Sequence, residues 1–503
     1  MTRLAELPLL VILLGVTGGL TLVPAVHGLA TDQPELARDF FYAGLILLVL
    51  TVMLGVATAA FSPRDADRSH LASLAGAFLL LPVAMVLPMR EALPDTTLMN
   101  AWFEMISSFT TTGATVYAPD RLSDTIHLWR ATVGWFGGFL ILLAAYAILA
   151  PLNLGGVEVA TGRVPGRGAP GTSQITRTGE PAERLTRLAL QIFPIFSFLT
   201  ALLWLGLLIA GESSTAALIH AMGTLSTSGI SGQSGLMGSG AGIIGEVLIF
   251  CFLIFAVTRR AMPGLGAAKR SRLRDDPELR LAALVLLAVT AILFLRHWFV
   301  VRAEGAIDTG GHILGALWGI VFTSGSFLTT TGYVSSEWQT AREWSGLGTP
   351  GLVFLGLAIM GGGTATTAGG VKLLRVYALL RHGERELERI IHPNSVGGGG
   401  GAARRLRRDG AQLAWVFFML FAITIAILVA TLSLLGVGFE TALVLAIAAL
   451  TTTGQLADLG AATPIAYGDL SDSVKLALGI AMIVGRLETL ALLALLLPIR
   501  GRN

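Results

Sequence analysis

A run of small hydroxyl-bearing residues closed by a glycine occurs four times in this chain. Residues 109–115 read FTTTGAT, 225–231 LSTSGIS, 328–334 LTTTGYV and 450–456 LTTTGQL. The closing glycines, Gly113, Gly229, Gly332 and Gly454, stand about 100 to 120 residues apart, a spacing that marks a repeated unit. Each copy follows a short apolar segment and precedes a long one. Four such hairpins around one axis would make a ring. A ring of hydroxyls and backbone carbonyls on glycine turns is what a dehydrated monovalent cation needs. The competing reading is ordinary small-residue helix contact. One copy would favour it; four copies in the same setting do not.

Composition fixes the solvent. Of 503 residues, 53% are hydrophobic and only 13% charged, where a soluble domain carries about 25% charged residues. The apolar stretches are too long and too numerous for core helices, so the chain reads as an all-α polytopic membrane protein. The ten-residue alternation of a membrane barrel is absent. The net charge of +3 does not indicate nucleic acid, because the basic residues sit in particular loops, as orientation signals do. The single cysteine, Cys251, can form no intramolecular disulfide, and the eight histidines show no metal-ligand spacing.

Residues 1–70 read as an N-terminal helix pair, about Pro8–His27 and Asp39–Ala60, the first an uncleaved span rather than a signal peptide. Four units follow, each a span, a short helix, a turn and a closing span. Unit 1 (71–155) has spans near Leu71–Met89 and His127–Pro151 and a short helix over Leu98–Ser108. Unit 2 (156–258, with its linker) has spans over Leu188–Ala210 and Ile243–Val257 and a short helix over Ser214–Leu225. Unit 3 (259–380) has a span over Leu281–Val301, a short helix over Gly311–Phe327 and an interrupted span over Gly351–Leu380. Unit 4 (381–503) has spans over Ala411–Leu435 and Val474–Pro498 and a short helix over Glu440–Leu450. Its linker holds five glycines from Gly397, a flexible tether.

With the amino terminus inside, every Arg-rich linker falls on the cytoplasmic side. The turns then open outward, where Asp120, Asp124, Glu212, Glu337, Asp458, Asp469 and Asp472 form a mildly acidic mouth that raises local cation concentration. Each short helix is too brief to cross about 30 Å of hydrocarbon. It reads as a re-entrant pore helix, its carboxyl end placing partial negative charge on a central cavity. Glycine suits the turns because it takes φ > 0 and aims its neighbours' carbonyls inward.

Two further features sit at membrane depth. Gly361, Gly362, Gly363, Gly369 and Gly370, with Thr364, Thr366 and Thr367, interrupt a membrane-long segment. Such a cluster cannot hold a helix, and broken backbone is tolerated there only beside a cavity. It reads as a mobile loop under the turns; a phosphate-binding loop fails because GxxxxGK[ST] is not matched. Arg486 lies inside the last apolar span and must face a cavity or a partner. On the pore axis it would repel cations; the blander reading is snorkelling or an ion pair with Glu104 or Glu246. Lys372 reads as a cytoplasmic-end anchor, the alternative being a contact to the interrupted loop. Glu488, two residues from Arg486, falls off its helical face.

Further strings are long and chemically unusual: WRATVGWFGGF (129–139), GGGTATTAGGVKLLR (361–375), IHPNSV (391–396) and LSDSVKLALGIAMIVGRLETLALLALLLP (470–498). With the four turns, they make the chain resemble the Trk/Ktr/HKT superfamily of potassium transporters, in particular the bacterial TrkH/TrkG branch. The resemblance implies four pseudo-symmetric helix–pore loop–helix units around one pore. It also implies a homodimer in the bacterial inner membrane that conducts K⁺ inward, and a separate cytoplasmic TrkA-like nucleotide-binding ring on the basic linkers. Carried over residue by residue, the filter would be Thr111, Thr112, Gly113 and Ala114; Thr227, Ser228, Gly229 and Ile230; Thr330, Thr331, Gly332 and Tyr333; and Thr452, Thr453, Gly454 and Gln455. The 361–370 loop and Arg486 would form the gate. In plant relatives a serine in the first glycine position goes with sodium conduction; four glycines imply potassium preference. The second copy, STSG, and the absence of a glycine-rich string in that unit's closing helix depart from the pattern and imply less strict selectivity.

The cargo is then K⁺, with no organic cofactor expected in this chain, since no GxGxxG follows a strand. An H⁺- or Na⁺-coupled K⁺ symporter would need a titratable relay, for which only scattered acids such as Glu104 and Glu246 are present. A membrane-embedded transferase would need clustered acids or histidines at one interface, and the sequence has none.

Overall fold

The structure is a computed structural model. It describes residues 7–59, 66–152, 154–156, 159, 181–233, 235–263, 273–297, 313–346, 350–392 and 401–488. The IHPNSV string beyond His392, the glycine run from Gly397 up to 400, the middles of the basic linkers and everything after Glu488 lie outside the described residues. Within them, every regular element is a helix. Among the described residues, seven segments are long and apolar enough to cross a membrane, which makes this a multi-pass membrane protein.

The N-terminal pair is α1 (Leu9–Leu20) with α2 (Leu22–Ala30), then α3 (Pro34–Ala57). The single helix expected over Pro8–His27 is broken at Thr21. Pro24, in the first turn of α2, has no N–H to continue the ladder, and the Thr21 hydroxyl bonds Gly18 O at 2.8 Å.

Unit 1 comprises α4 (Ala66–Ala92), the short helix α5 (Leu98–Phe109) and the closing helix α6 (Asp124–Ala144), which a π turn extends to Leu149. Unit 2 comprises α7 (Pro181–Ile209), α8 (Ser214–Ser226) and a closing helix split at Leu253 into α9 (Gly242–Phe252) and α10 (Ile254–Val257). In unit 3, α11 (Pro277–Arg296) precedes α12 (Ile313–Leu328) and α13 (Trp338–Ser345). Its closing span is divided into α14 (Gly351–Met360) and α15 (Leu373–Ile391). Unit 4 has α16 (Gly401–Leu434), α17 (Phe439–Leu450), α18 (Leu456–Leu459) and α19 (Asp472–Leu487).

Several boundaries differ from the hydropathy reading for local reasons. The span expected from Leu281 begins at Pro277, because Asp276 caps it by accepting Glu278 N at 3.1 Å and Pro277 fills the first helical position. The described part of the last helix ends at Leu487, where Glu488 turns to φ 60°. The four short helices have 12, 13, 16 and 12 residues. At 1.5 Å per residue that is about 18 to 24 Å, short of a crossing.

The units close on one another. Each short helix packs against the closing helix of the unit before it: α8 on α6, α12 on α9, α17 on α14 and, completing the circuit, α5 on α19. Within units 1 and 4, glycine also lets the closing helix approach the end of that unit's own short helix at equivalent places. A Cβ on Gly137 of α6 would overlap the Phe109 carbonyl, and one on Gly485 of α19 would overlap that of Leu450. Phe109 and Leu450 are the residues immediately before the first and fourth hydroxyl runs. The segment Asp124–Leu149 is 89% buried across its apolar window, against 22% for Pro277–Arg296. The first is therefore at the middle of the bundle and the second at its outer edge.

Candidate functional site

The four hydroxyl runs are buried and adopt one repeated geometry. The residue two before each glycine, Thr111, Thr227, Thr330 and Thr452, has φ of 56°, 55°, 57° and 53°. That left-handed region is one that β-branched residues seldom enter, at a cost of order 1–3 kcal/mol each. The reversal folds the next N–H back onto the short helix. Thr112 N donates to Ser107 O at 2.8 Å, and Ser228 N to Gly223 O, Thr331 N to Ser326 O and Thr453 N to Ala448 O, each at 2.9 Å. Hydroxyls brace the turn in the same register: Thr110 with Thr112 (2.9 Å), Ser226 with Ser228 (3.0 Å), Thr329 with Thr331 (3.1 Å) and Thr451 with Thr453 (3.3 Å). With these N–H groups spent on the helix, the first three turns have carbonyl oxygens left to offer elsewhere; in the fourth, Thr453 O, Gly454 O and Gln455 O accept from Leu456 N, Ala457 N and Asp458 N, each at 3.1 Å.

The turns meet in cyclic order. A Cβ on Gly113 would overlap Ser228 O, one on Gly229 would overlap Thr331 O, one on Gly332 would overlap the Gln455 side chain, and one on Gly454 would overlap Ala114 N. Each glycine is thus the place where its turn presses on the next, and the fourth returns to the first. The expectation that all four glycines take φ > 0 holds at Gly113 (72°), Gly229 (59°) and Gly332 (82°) but not at Gly454. There the chain runs straight into α18, and the residue's smallness serves close approach instead.

Not every carbonyl of the sixteen residues is free. Gly454 N donates to Thr112 O at 2.6 Å. Ala114 O accepts from Ser107 Oγ (2.7 Å), Ile230 O from Tyr333 Oη (3.0 Å) and Gly454 O from Tyr467 Oη (2.9 Å). Tyr333 therefore buttresses the second turn from outside the ring. Gln455 behaves differently: its Nε2 reaches Gly113 O, Ser228 O and Gly229 O.

Buried carboxylates fix the segments after the turns. Glu104 accepts from Val116 N (3.0 Å), Thr115 Oγ1 (3.2 Å) and Arg130 Nε (2.5 Å). Glu246 accepts from Ser336 N and Ser335 Oγ (both 2.6 Å), Ser336 Oγ (2.7 Å) and Trp318 Nε1 (2.8 Å). Neither is hydrogen-bonded or ion-paired to Arg486, which removes them as its partners. Their charge is spent on holding the ring's rim.

The interrupted segment lies directly beneath. Gly361 leaves α14 at φ 71°, and residues 361–372 are buried. Gly369 N donates to Thr330 Oγ1 at 2.7 Å, Thr367 Oγ1 to Leu225 O at 3.1 Å, and a Cβ on Gly369 would overlap Thr451 O. The loop thus touches the undersides of turns 2, 3 and 4. From below it is held by Thr364 N on Glu278 Oε1 (2.7 Å), by Gly363 N on Ala256 O (2.8 Å) and by Thr366 Oγ1 on Ala256 O (3.1 Å). Arg486 Nη1 donates to Thr367 O at 2.6 Å, while its Nε and Nη2 are buried without a hydrogen-bond partner among the described residues. A cavity below the loop is lined by Ile141, Ala145, Thr366, Gly370, Lys372 and Arg486, among others.

One reading of a charged residue needs correction. Lys372 is not an interfacial anchor: it is buried, and its Nζ donates to Ala368 O within the loop, which is the alternative contact. Glu488 pairs with Arg375, Nη2 to Oε2 at 2.7 Å. Arg375 was missed, although its place in the VKLLR string marks it as a charge in a buried segment. It also donates to Val371 O (3.2 Å), and its guanidinium stands 3.6 Å over the Phe417 ring. Glu278 was missed because nothing local links it to a loop 86 positions away.

The family model described as TrkH, cation transport protein, matches residues 38–498. The chain belongs to that family. Its relatives include the Trk system potassium uptake protein TrkI of Halomonas elongata, 30% identical over 83% of this chain and 80% of that protein. TrkH of Escherichia coli is 27% identical over 89% and 90%. The crystal structure of the potassium transporter TrkH from Vibrio parahaemolyticus aligns over 99% of both chains with a TM-score of 0.76 at 25% identity.

Proposed function

We propose that this chain is the K⁺-translocating membrane subunit of a Trk-type uptake system. The carbonyl oxygens of turns Thr111–Ala114, Thr227–Ile230, Thr330–Tyr333 and Thr452–Gln455 form the filter, and the 361–370 loop with Arg486 forms the gate. The observation that carries the reading is the closed circuit of four turns, in each of which the N–H after the left-handed threonine is folded back onto the short helix. Carbonyl dipoles held this way replace a hydration shell whose loss costs an ion tens of kcal/mol. The relatives' names supply the ion. The chain sits in the bacterial inner membrane with its amino terminus inside, works as a homodimer, and is regulated by a TrkA-like ring on its basic linkers.

Purified protein in proteoliposomes is expected to pass K⁺ down its gradient, in preference to Na⁺, with a rate that changes little between about pH 6 and pH 8. The buried acids Glu104 and Glu246 are tied into the rim, which favours uncoupled flux over a proton relay. Flux that requires an H⁺ or Na⁺ gradient would replace this reading with a coupled symporter.

A further inference from the structure

The residue after the glycine is alanine, isoleucine and tyrosine in the first three turns and glutamine in the fourth. Ala114, Ile230 and Tyr333 are buried, while Gln455 is only half-buried. Its Nε2 stands 3.1 Å from Ser228 O, 3.1 Å from Gly229 O and 3.4 Å from Gly113 O. A primary amide has two N–H groups, so three oxygens from two units converge on one nitrogen that can satisfy only two of them well. Such convergence exceeds what an amide needs and matches what a dehydrated cation needs. At its other end the amide oxygen Oε1 is buried with no hydrogen-bond partner among the described residues, lying against Gly332, where a Cβ would overlap it. A glutamine placed for stability alone would satisfy both ends. This one reaches from the third turn to the first and second with only its donor end used.

We propose that Gln455 is a side-chain latch on the outer half of the filter: its amide nitrogen occupies the carbonyl cage, and an entering K⁺ has to displace it. The inference rests on the filter reading above. Cation and amide compete for the same oxygens, so the apparent affinity is the intrinsic one reduced by the fraction of molecules whose cage is clear. The latch therefore sets the K⁺ concentration at which transport half-saturates, independently of the loop beneath.

The test is K⁺ flux against K⁺ concentration in proteoliposomes for the native chain, Gln455→Ala and Gln455→Asn, whose shorter amide does not span the distance. Both substitutions are expected to lower the half-saturating K⁺ concentration by about fivefold. An unchanged value in protein that stays monodisperse overturns the latch, and a raised value overturns it in favour of Oε1 as a K⁺ ligand. Should Gln455→Ala not accumulate as folded protein, the midpoint of K⁺-dependent thermal stabilisation of Gln455→Asn gives the same decision. Gly229→Ser, run in parallel, separates this inference from its foundation. If it leaves K⁺/Na⁺ discrimination intact, the filter reading falls and takes the latch with it. If it abolishes discrimination while Gln455→Ala shifts nothing, the latch alone falls.

Discussion

Gly113→Ser is expected to lower the K⁺/Na⁺ permeability ratio by at least about tenfold while the protein remains folded. Two physical effects act together. Gly113 has φ 72°, where an L-residue pays about 1–2 kcal/mol. Its new Cβ would also overlap Ser228 O, the oxygen its turn presses against in the second unit. Moving that carbonyl off the ring removes an ion–dipole interaction comparable to a charged hydrogen bond, about 1.5–3 kcal/mol, and every 1.4 kcal/mol is tenfold in affinity. The smaller Na⁺, which keeps its water more tightly, loses less. Bi-ionic flux measurements decide the matter. Equal ratios in native and substituted protein would mean the first turn does not select.

Arg486→Ala is expected to raise K⁺ flux by about tenfold. The guanidinium lines the cavity under the loop with Nε and Nη2 free of hydrogen-bond partners among the described residues. At an effective dielectric near 20, two unit charges about 10 Å apart repel by about 1.7 kcal/mol, enough to slow passage by roughly tenfold. The same side chain clamps the loop by donating to Thr367 O at 2.6 Å, and losing that bond loosens the constriction in the same direction. Arg486→Gln separates the two contributions, because it keeps a donor near Thr367 without the charge: intermediate flux is expected. Unchanged or lower flux from folded Arg486→Ala would remove the residue from the barrier.

Much of this was legible because the turns advertise themselves. Four hydroxyl runs with glycine, each after an apolar helix too short to cross, fix the repeat without any long-range contact. The broken helix was legible for the same local reason, since Gly361, Gly362, Gly363, Gly369 and Gly370 cannot sustain a ladder. What escaped depends on partners distant in sequence. Arg375 and Glu488 are 113 positions apart. Glu488 was placed by helical period from Arg486, but α19 ends one residue earlier and φ 60° turns its side chain another way. The left-handed threonines were hidden because β-branched residues normally avoid that region. The fold-back of the following N–H onto the short helix, repeated four times, and the bracing hydroxyl pairs hold them there. The different course of the fourth turn follows from Gly454 pressing on Ala114 and from α18 starting at Leu456, contacts that a repeat pattern does not encode.

Anomalous diffraction from crystals of the protein grown in Rb⁺ tests the central claim most directly. The account predicts a peak on the axis enclosed by the four turns, within coordination distance of Ser228 O and Gly229 O, with the Gln455 amide withdrawn. Rb⁺ found only in the lower cavity or at the surface, with those oxygens still bonded to Gln455, would contradict it.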